Sequence, residues 1–282
     1  MLVYLNGELV PEEKAVVSVF DRGFLFGDGL FEAMLITRGR PFRWRQHSAR
    51  FEHGLKILKI APPVAPAALL ESALALIQRN NMPESILRIS ISRGIAPRGV
   101  SPKNAVNPAV VMSLHPLPDI DWSALQRWRV VIASYRLIAG DPFAGFKSAN
   151  KLIQILARSE ADAAGAGEAI LLNTRGYLAE GTTSNLFWIH KGAVCTAPMD
   201  SGALSGVTRS IVIDLCREKN IPVKQINARP AALGAADGAF LSMSSFGIVE
   251  IEALDGVSLP QSPIVEDLWR AHRRGLESEI LD

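Results

Sequence analysis

Ala144-Gly145-Phe146-Lys147-Ser148-Ala149-Asn150-Lys151-Leu152 is the stretch from which the rest of the chain is best read. A lysine stands here just ahead of residues with helical apolar spacing: Leu152, Ile155, Leu156 and then Ala163. Its small neighbours leave room beside the amine. A lysine partly withdrawn from water has a lowered pKa and becomes a nucleophile or Schiff-base former. The ordinary alternative is a lysine that opens a helix after a loop. Two downstream segments bear on the choice. One is Tyr177-Leu178-Ala179-Glu180-Gly181-Thr182-Thr183-Ser184-Asn185-Leu186-Phe187, and the other is Leu204-Ser205-Gly206-Val207-Thr208-Arg209.

In this order the three segments resemble the class IV, D-amino-acid-transaminase-like family of pyridoxal-phosphate enzymes. That family includes branched-chain aminotransferases, D-amino acid aminotransferases, R-selective amine transaminases and 4-amino-4-deoxychorismate lyase. The resemblance covers essentially the whole chain. It implies a two-domain α/β chain of fold type IV, pyridoxal 5'-phosphate as cofactor, small amino and keto acids as substrates, and a homodimer.

The 282 residues suffice for one large domain or two ordinary ones. With 48% hydrophobic and 21% charged residues, the composition is that of a well-cored chain rather than a disordered one. A net charge of +2 is too small to suggest nucleic acid, although Arg38, Arg40, Arg43, Arg45 and Arg50 form a local basic cluster suited to a small anion. Cys195 and Cys216 have neither disulfide nor zinc spacing and read as buried apolar residues. The five histidines form no metal-binding pattern, so no metal is expected. The start of the sequence has no signal pattern, and no uncharged apolar run reaches the roughly 18 residues of a membrane helix. The cytoplasm, without membrane attachment, is the expected location.

Along the chain, Leu2–Leu5 followed by Asn6-Gly7 reads as a strand entering a tight hairpin. Val16–Phe20 is a further extended apolar segment, and Leu30–Ile36 a strand. Helical patterns cover a stretch from near Gln46 and another over Ala67–Gln78, and Ile86–Ser92 alternates as a strand. Pro116, Pro118, Asp119 and Asp121 mark the boundary between halves. We therefore expect a smaller N-terminal α/β domain over 1–117, a linker over 118–125 and a larger cofactor-binding domain over 126–282. In the second half, strands are expected at Trp128–Tyr135, Ala169–Leu172, Asn185–Ile189, Ala239–Met243 and Ile248–Leu254. Helices are expected over Asn150–Ala164, after Ser205-Gly206-Val207-Thr208 with the apolar set Ile211, Val212, Leu215 and Cys216, and over Ile264–Leu276.

Residue by residue, the resemblance implies that Lys147 takes the cofactor's aldehyde and then moves a proton between substrate Cα and cofactor C4′. It makes Glu180 the partner of the pyridine nitrogen and Arg50, from a His-x-x-Arg arrangement, a phosphate ligand. Leu204 packs on the ring. Gly206, Val207 and Thr208 hold the phosphate at a helix start, and Ser244 and Ser245 supply further hydroxyls. Each also has an ordinary reading: a surface arginine, a turn carboxylate, a threonine N-cap. Within the "FGDG" region, Phe26 and Phe31 wall the substrate pocket or pack in the core. Arg98 matches an arginine that holds the substrate carboxylate in D-amino acid aminotransferases, but Val100 stands where their histidine would be.

The expected activity is amino-group transfer on branched-chain or related amino acids. The alternatives are 4-amino-4-deoxychorismate lyase, releasing pyruvate and 4-aminobenzoate, and D-amino acid or R-selective amine transaminase. "FAGFKSANKL", "RGIAPRGV" and "SSFGI" lean toward the lyase, whereas Ala33 and Glu250 lean away from it.

Overall fold

The computed structural model describes residues 1–278. These form two compact units: Met1–Pro118 with Phe146–Asn150, and Asp119–Gly145 with Lys151 onward.

The first unit is a six-stranded antiparallel sheet with two long helices. Its strands are β1 (Leu2–Leu5), β2 (Glu8–Pro11), β3 (Gly29–Thr37), β4 (Arg40–Pro41), β5 (Ser85–Ser92) and β6 (Val110–His115), in the order β2-β1-β6-β5-β3-β4. The helices are α1 (Arg22–Phe26), α2 (Trp44–Leu58) and α3 (Pro66–Asn80). Asn6 and Gly7 both take positive φ, which lets a two-residue turn join β1 to β2 with Leu5 opposite Glu8.

The period-two alternation of strands sorts the sheet into faces. Leu30, Met34, Leu87, Ile89, Ile91, Val110 and Met112 pack with Phe51, Leu55, Leu69 and Leu76 of α2 and α3. The same alternation and register put Phe31, Ala33, Arg88, Ser90 and Ser113 on the other face. Val16–Phe20, expected as extended, forms no strand. Val16, Val19 and Phe20 are exposed there, because an apolar run becomes a strand only where a neighbour accepts its backbone.

The second unit contains β7 (Arg127–Leu137), α4 (Leu152–Ala163), β8 (Glu168–Asn173), β9 (Leu178–Gly181), β10 (Asn185–His190) and β11 (Ala193–Thr196). It continues with α5 (Val207–Glu218), β12 (Val223–Gln225), α6 (Ala231–Gly234), β13 (Gly238–Met243), β14 (Gly247–Leu254), β15 (Val257–Ser258) and α7 (Pro263–Ser278). The strand order is β12-β11-β10-β13-β14-β7-β8-β9, and β9 also pairs with β10. That last pairing closes six strands into a ring. Phe187, Phe240 and Ile248 from the ring pack against Val212 and Cys216 of α5 and Val265 and Leu268 of α7.

On α4 the apolar spacing points outward. Ala157 and Ala161 are buried, whereas Leu152 and Ile155 are exposed. Small residues let this helix lie close on β7 and β8, so its bulky residues are left on the far side. Lys151 is the N-cap and Asn150 precedes the helix, which therefore starts later than Asn150.

Candidate active site

Lys147 lies in the first unit, although chain order assigns it to the second domain. The segment Phe146–Asn150 docks along β3: Phe31 N–H donates to Lys147 O at 2.9 Å, and Ala149 N–H to Gly29 O at 3.0 Å. Phe146 is 2% exposed and packs so tightly on Gly54 of α2 that a methyl group there would meet its Cβ at 2.9 Å. An aromatic anchor and a strand-like bridge thus fix the backbone on both sides of the lysine. Its Nζ stands 4.9 Å from the Phe31 ring centroid.

Arg50, on α2, is gripped by a buried carboxylate. Its Nε donates to Glu32 Oε1 and its Nη2 to Glu32 Oε2, both at 2.7 Å, and Glu32 is 1% exposed. His47, one helical turn earlier, donates from Nδ1 to Glu32 Oε2 at 2.7 Å. Burial alone would raise the Glu32 carboxyl, but hydrogen bonds and charge from Arg50 and His47 hold it below the usual glutamate range. Burial pushes the His47 imidazole down, and the Arg50 and Lys147 charges add to this against the pull of Glu32. The ring is therefore neutral near pH 7, with its proton on Nδ1. A carboxylate gripping one edge of a guanidinium fixes the plane in which its remaining donors lie.

Sequence reasoning missed two residues of this unit. Arg88 sits over Phe31, 3.7 Å from the ring centroid, with its Nε bonded to Ser90 Oγ at 3.0 Å. Its only sequence signal is a cation in the middle of an otherwise alternating strand. Arg22 is 5% exposed and donates to the carbonyls of Gly99, Val100 and Ser101, while Asp28 holds its Nε at 2.7 Å. Arg98, exposed, is carried on that clamped loop. Phe31 is 8% exposed beneath its two cations; Phe26 is 43% exposed, with the Arg22 guanidinium 5.0 Å from its ring.

In the second unit, Glu180 is the penultimate residue of β9 and Asn185 begins β10, and the two stand directly opposite each other. Leu204 N–H donates to Glu180 Oε2 at 2.8 Å, and Asn185 Nδ2 donates to the same oxygen at 3.3 Å and to Leu204 O at 2.8 Å. Glu180 is 8% exposed, and Leu204 is half-buried. Just beyond, α5 starts with Gly206 as N-cap and no side-chain cap. Thr208 is thus a first-turn residue, 5% exposed, and not the N-cap. Gly206 is required where it is, because a Cβ would collide with Asn185 Oδ1. Ser244 and Ser245 lie half-buried in the turn between β13 and β14.

These groups suit pyridoxal phosphate. A helix start with a glycine cap presents backbone N–H donors to an anion. A carboxylate fixed by two donors is ready to pair with a pyridinium, and an anchored amine can take an aldehyde. Among the described residues no cluster of histidine, cysteine or carboxylate side chains could hold a metal ion, and no helix is long and apolar enough to cross a membrane.

Fold and side-chain chemistry together define an enzyme that works through a phosphorylated aldehyde cofactor. The chain matches the family model for amino-transferase class IV over residues 29–254. It is 32% identical over 91% of its length to a Methanocaldococcus jannaschii protein provisionally named a branched-chain-amino-acid aminotransferase, 88% of which is covered. It is 30% identical to an aminodeoxychorismate lyase of Bacillus subtilis, over 91% of this chain and 88% of that one. A branched-chain aminotransferase structure from Thermoproteus uzoniensis, solved with norvaline, superposes with a TM-score of 0.91 at 28% identity, covering 100% of this chain and 97% of that one. The chain belongs to amino-transferase class IV, a family of pyridoxal-phosphate-dependent enzymes.

Proposed function

We propose that this chain moves amino groups between amino acids and keto acids, with branched-chain or related side chains as its substrate class. The observation that carries the reading is the Lys147 amine held over Phe31, with the Arg88 guanidinium over the same ring. An amine fixed beside an apolar surface suits proton transfer at Cα of an apolar amino acid, and a nearby guanidinium suits a carboxylate. When bound, pyridoxal phosphate supplies the aldehyde and the ring that accepts the electrons released at Cα.

Each residue has a share in this scheme. With the cofactor in place, Lys147 would hold its aldehyde and move the proton at the substrate's Cα. Glu180 keeps a proton on the pyridine nitrogen, and Leu204 packs on the ring. Arg50, the backbone of Gly206 and Val207, Thr208, Ser244 and Ser245 bind the phosphate. Phe31 and Phe26 border the substrate, and Arg98 reaches its carboxylate from the loop that Arg22 clamps.

A second reading, 4-amino-4-deoxychorismate lyase, is favoured by the 30% identity to the B. subtilis lyase. A half-reaction screen decides. Purified holoenzyme is mixed with single L- and D-amino acids while the cofactor spectrum is followed, and 4-amino-4-deoxychorismate is tested for pyruvate release. Conversion of the spectrum by L-leucine or L-isoleucine is the expected result. Pyruvate release without any such conversion would establish the lyase.

A homodimer belongs to the same reading. It is supported by exposed apolar residues Val16, Val19, Phe20 and Phe24 in the first unit and Leu152 and Ile155 in the second. So does the cytoplasm, supported by two cysteines that are buried and unpaired.

A further inference from the structure

We propose that Glu168 is a positioning residue for Glu180, acting through the turn that joins β9 to β10. The inference rests on the cofactor role assigned to Glu180 above.

Glu168 opens β8 and is 0% exposed. Its carboxylate is met by hydroxyl and amide donors. Oε1 accepts from Ala169 N at 3.0 Å, from Thr182 N at 3.1 Å and from the Thr182 hydroxyl. Oε2 accepts from Thr183 N at 3.2 Å, and from Thr183 Oγ1 and Ser184 Oγ at 3.1 Å each. Apart from Ala169, every donor lies in Thr182–Ser184. Burying a carboxylate costs a large desolvation free energy, so an apolar residue would serve the core at least as well. What the carboxylate adds is direction: it turns two backbone N–H groups and three hydroxyls inward and so sets the path of the turn.

That path determines where Glu180 points. Asn185 follows the turn directly and Glu180 precedes it with only Gly181 between, and the two pair with each other. The neighbouring register puts Leu171 opposite Glu180 and Ile170 opposite Gly181. The packing is close, since a Cβ on Gly181 would strike Ser184 Oγ and come within 3.0 Å of the Glu168 side chain. A turn released from Glu168 shifts both flanking residues. Asn185 is then displaced from Glu180 Oε2 and Leu204 O, the contacts that aim the carboxylate.

The test uses Glu168→Gln, which keeps the shape but replaces one acceptor oxygen with a donor, and Thr183→Ala, which removes a single hydroxyl from an exposed residue. Three quantities are measured: pyridoxal phosphate affinity of the apoenzyme, the pH midpoint of the bound cofactor's visible absorbance, and the apoenzyme's thermal midpoint. Glu168→Gln is expected to weaken cofactor binding about ten-fold, the scale of one charge-assisted hydrogen bond. It also raises the absorbance midpoint, because a pyridine nitrogen without its carboxylate loses its positive charge and the nearby protonated group holds its proton more firmly. Thr183→Ala gives smaller changes in the same directions at an unchanged thermal midpoint.

A merely structural carboxylate would lower the thermal midpoint and leave the absorbance midpoint unmoved; that result overturns the proposal. If Glu168→Gln does not fold, Thr183→Ala decides alone, and wild-type affinity and absorbance midpoint in it overturn the proposal. A wild-type chain that takes up no pyridoxal phosphate would overturn the reading of Glu180 together with this one.

Discussion

Asn185 stands opposite Glu180 where β9 meets β10, and its amide donates to Glu180 Oε2 at 3.3 Å. The pairing closes the strand ring of the second unit and fixes the carboxylate assigned to the pyridine nitrogen. One backbone contact therefore serves both closure and aim. Glu180→Gln keeps the shape and removes the charge. It is expected to weaken pyridoxal phosphate binding at least about ten-fold, and at saturating cofactor to slow the half-reaction by about 10²–10³-fold, as for loss of one preorganised electrostatic contact. Stopped-flow absorbance with a reactive amino acid measures this, and wild-type rates would remove Glu180 from the mechanism.

Lys147→Ala removes an amine whose backbone is pinned on β3 and by Phe146. The fold is expected to hold, the absorbance band of the lysine-linked cofactor to disappear, and turnover to fall by about 10²–10⁴-fold, the usual share of a general acid–base group. Persistence of the absorbance band in the purified variant would refute the assignment.

Arg50 and Glu32 form a pair in which removal of one partner strands the other. Arg50→Met leaves a carboxylate that is 1% exposed without its bidentate partner. It is expected to destabilise the chain by about 3–5 kcal/mol and to weaken cofactor binding, whereas Glu32→Leu with Arg50→Met recovers much of the stability but not the affinity. Urea unfolding of the apoenzymes and cofactor titration check the two halves of the prediction.

His47 makes the first unit sensitive to mild acid. Its folded pKa lies below the ordinary value of 6.5, so the unfolded chain takes up a proton first as pH falls. The stability contributed by the neutral ring is complete above pH 6.5 and declines as pH falls below that value toward the lowered pKa. Glu32, also depressed, adds loss only further into the acid range. Urea midpoints at pH 7.5 and 5.5 should differ more for wild type than for His47→Gln, and equal differences would exclude His47 as the source.

Cys195 and Cys216 should resist thiol reagents in the native chain. Burial pushes the Cys216 thiol up to about 11 and raises Cys195 as well, leaving almost no thiolate near neutral pH. Reaction with an aromatic disulfide reagent is expected only after denaturation, and rapid labelling of the folded protein would contradict the burial.

Elements governed by local rules were legible in the residues. Asn6-Gly7 accepts positive φ and makes the hairpin; Ile86–Ser92 alternates and forms β5; Gly206-Val207-Thr208 precedes an apolar-periodic run and starts α5. Glu250, one of the two residues that lean away from the lyase, proves to be a buried acceptor. Arg127 Nε and Ser262 N–H both donate to it, a partnership that no local pattern announces.

The sequence by itself determined the family motifs, most element types and the identity of the reactive side chains, because backbone preference, side-chain periodicity and chemical character are properties of short segments. Only the tertiary structure decided that Phe146–Asn150 docks on β3, that Glu32 grips Arg50, that Arg88 covers Phe31 and that Glu168 holds the turn beside Glu180. These are contacts between segments distant along the chain. Whether a buried charge meets a partner depends on register and packing, which are set only when the whole sheet has formed.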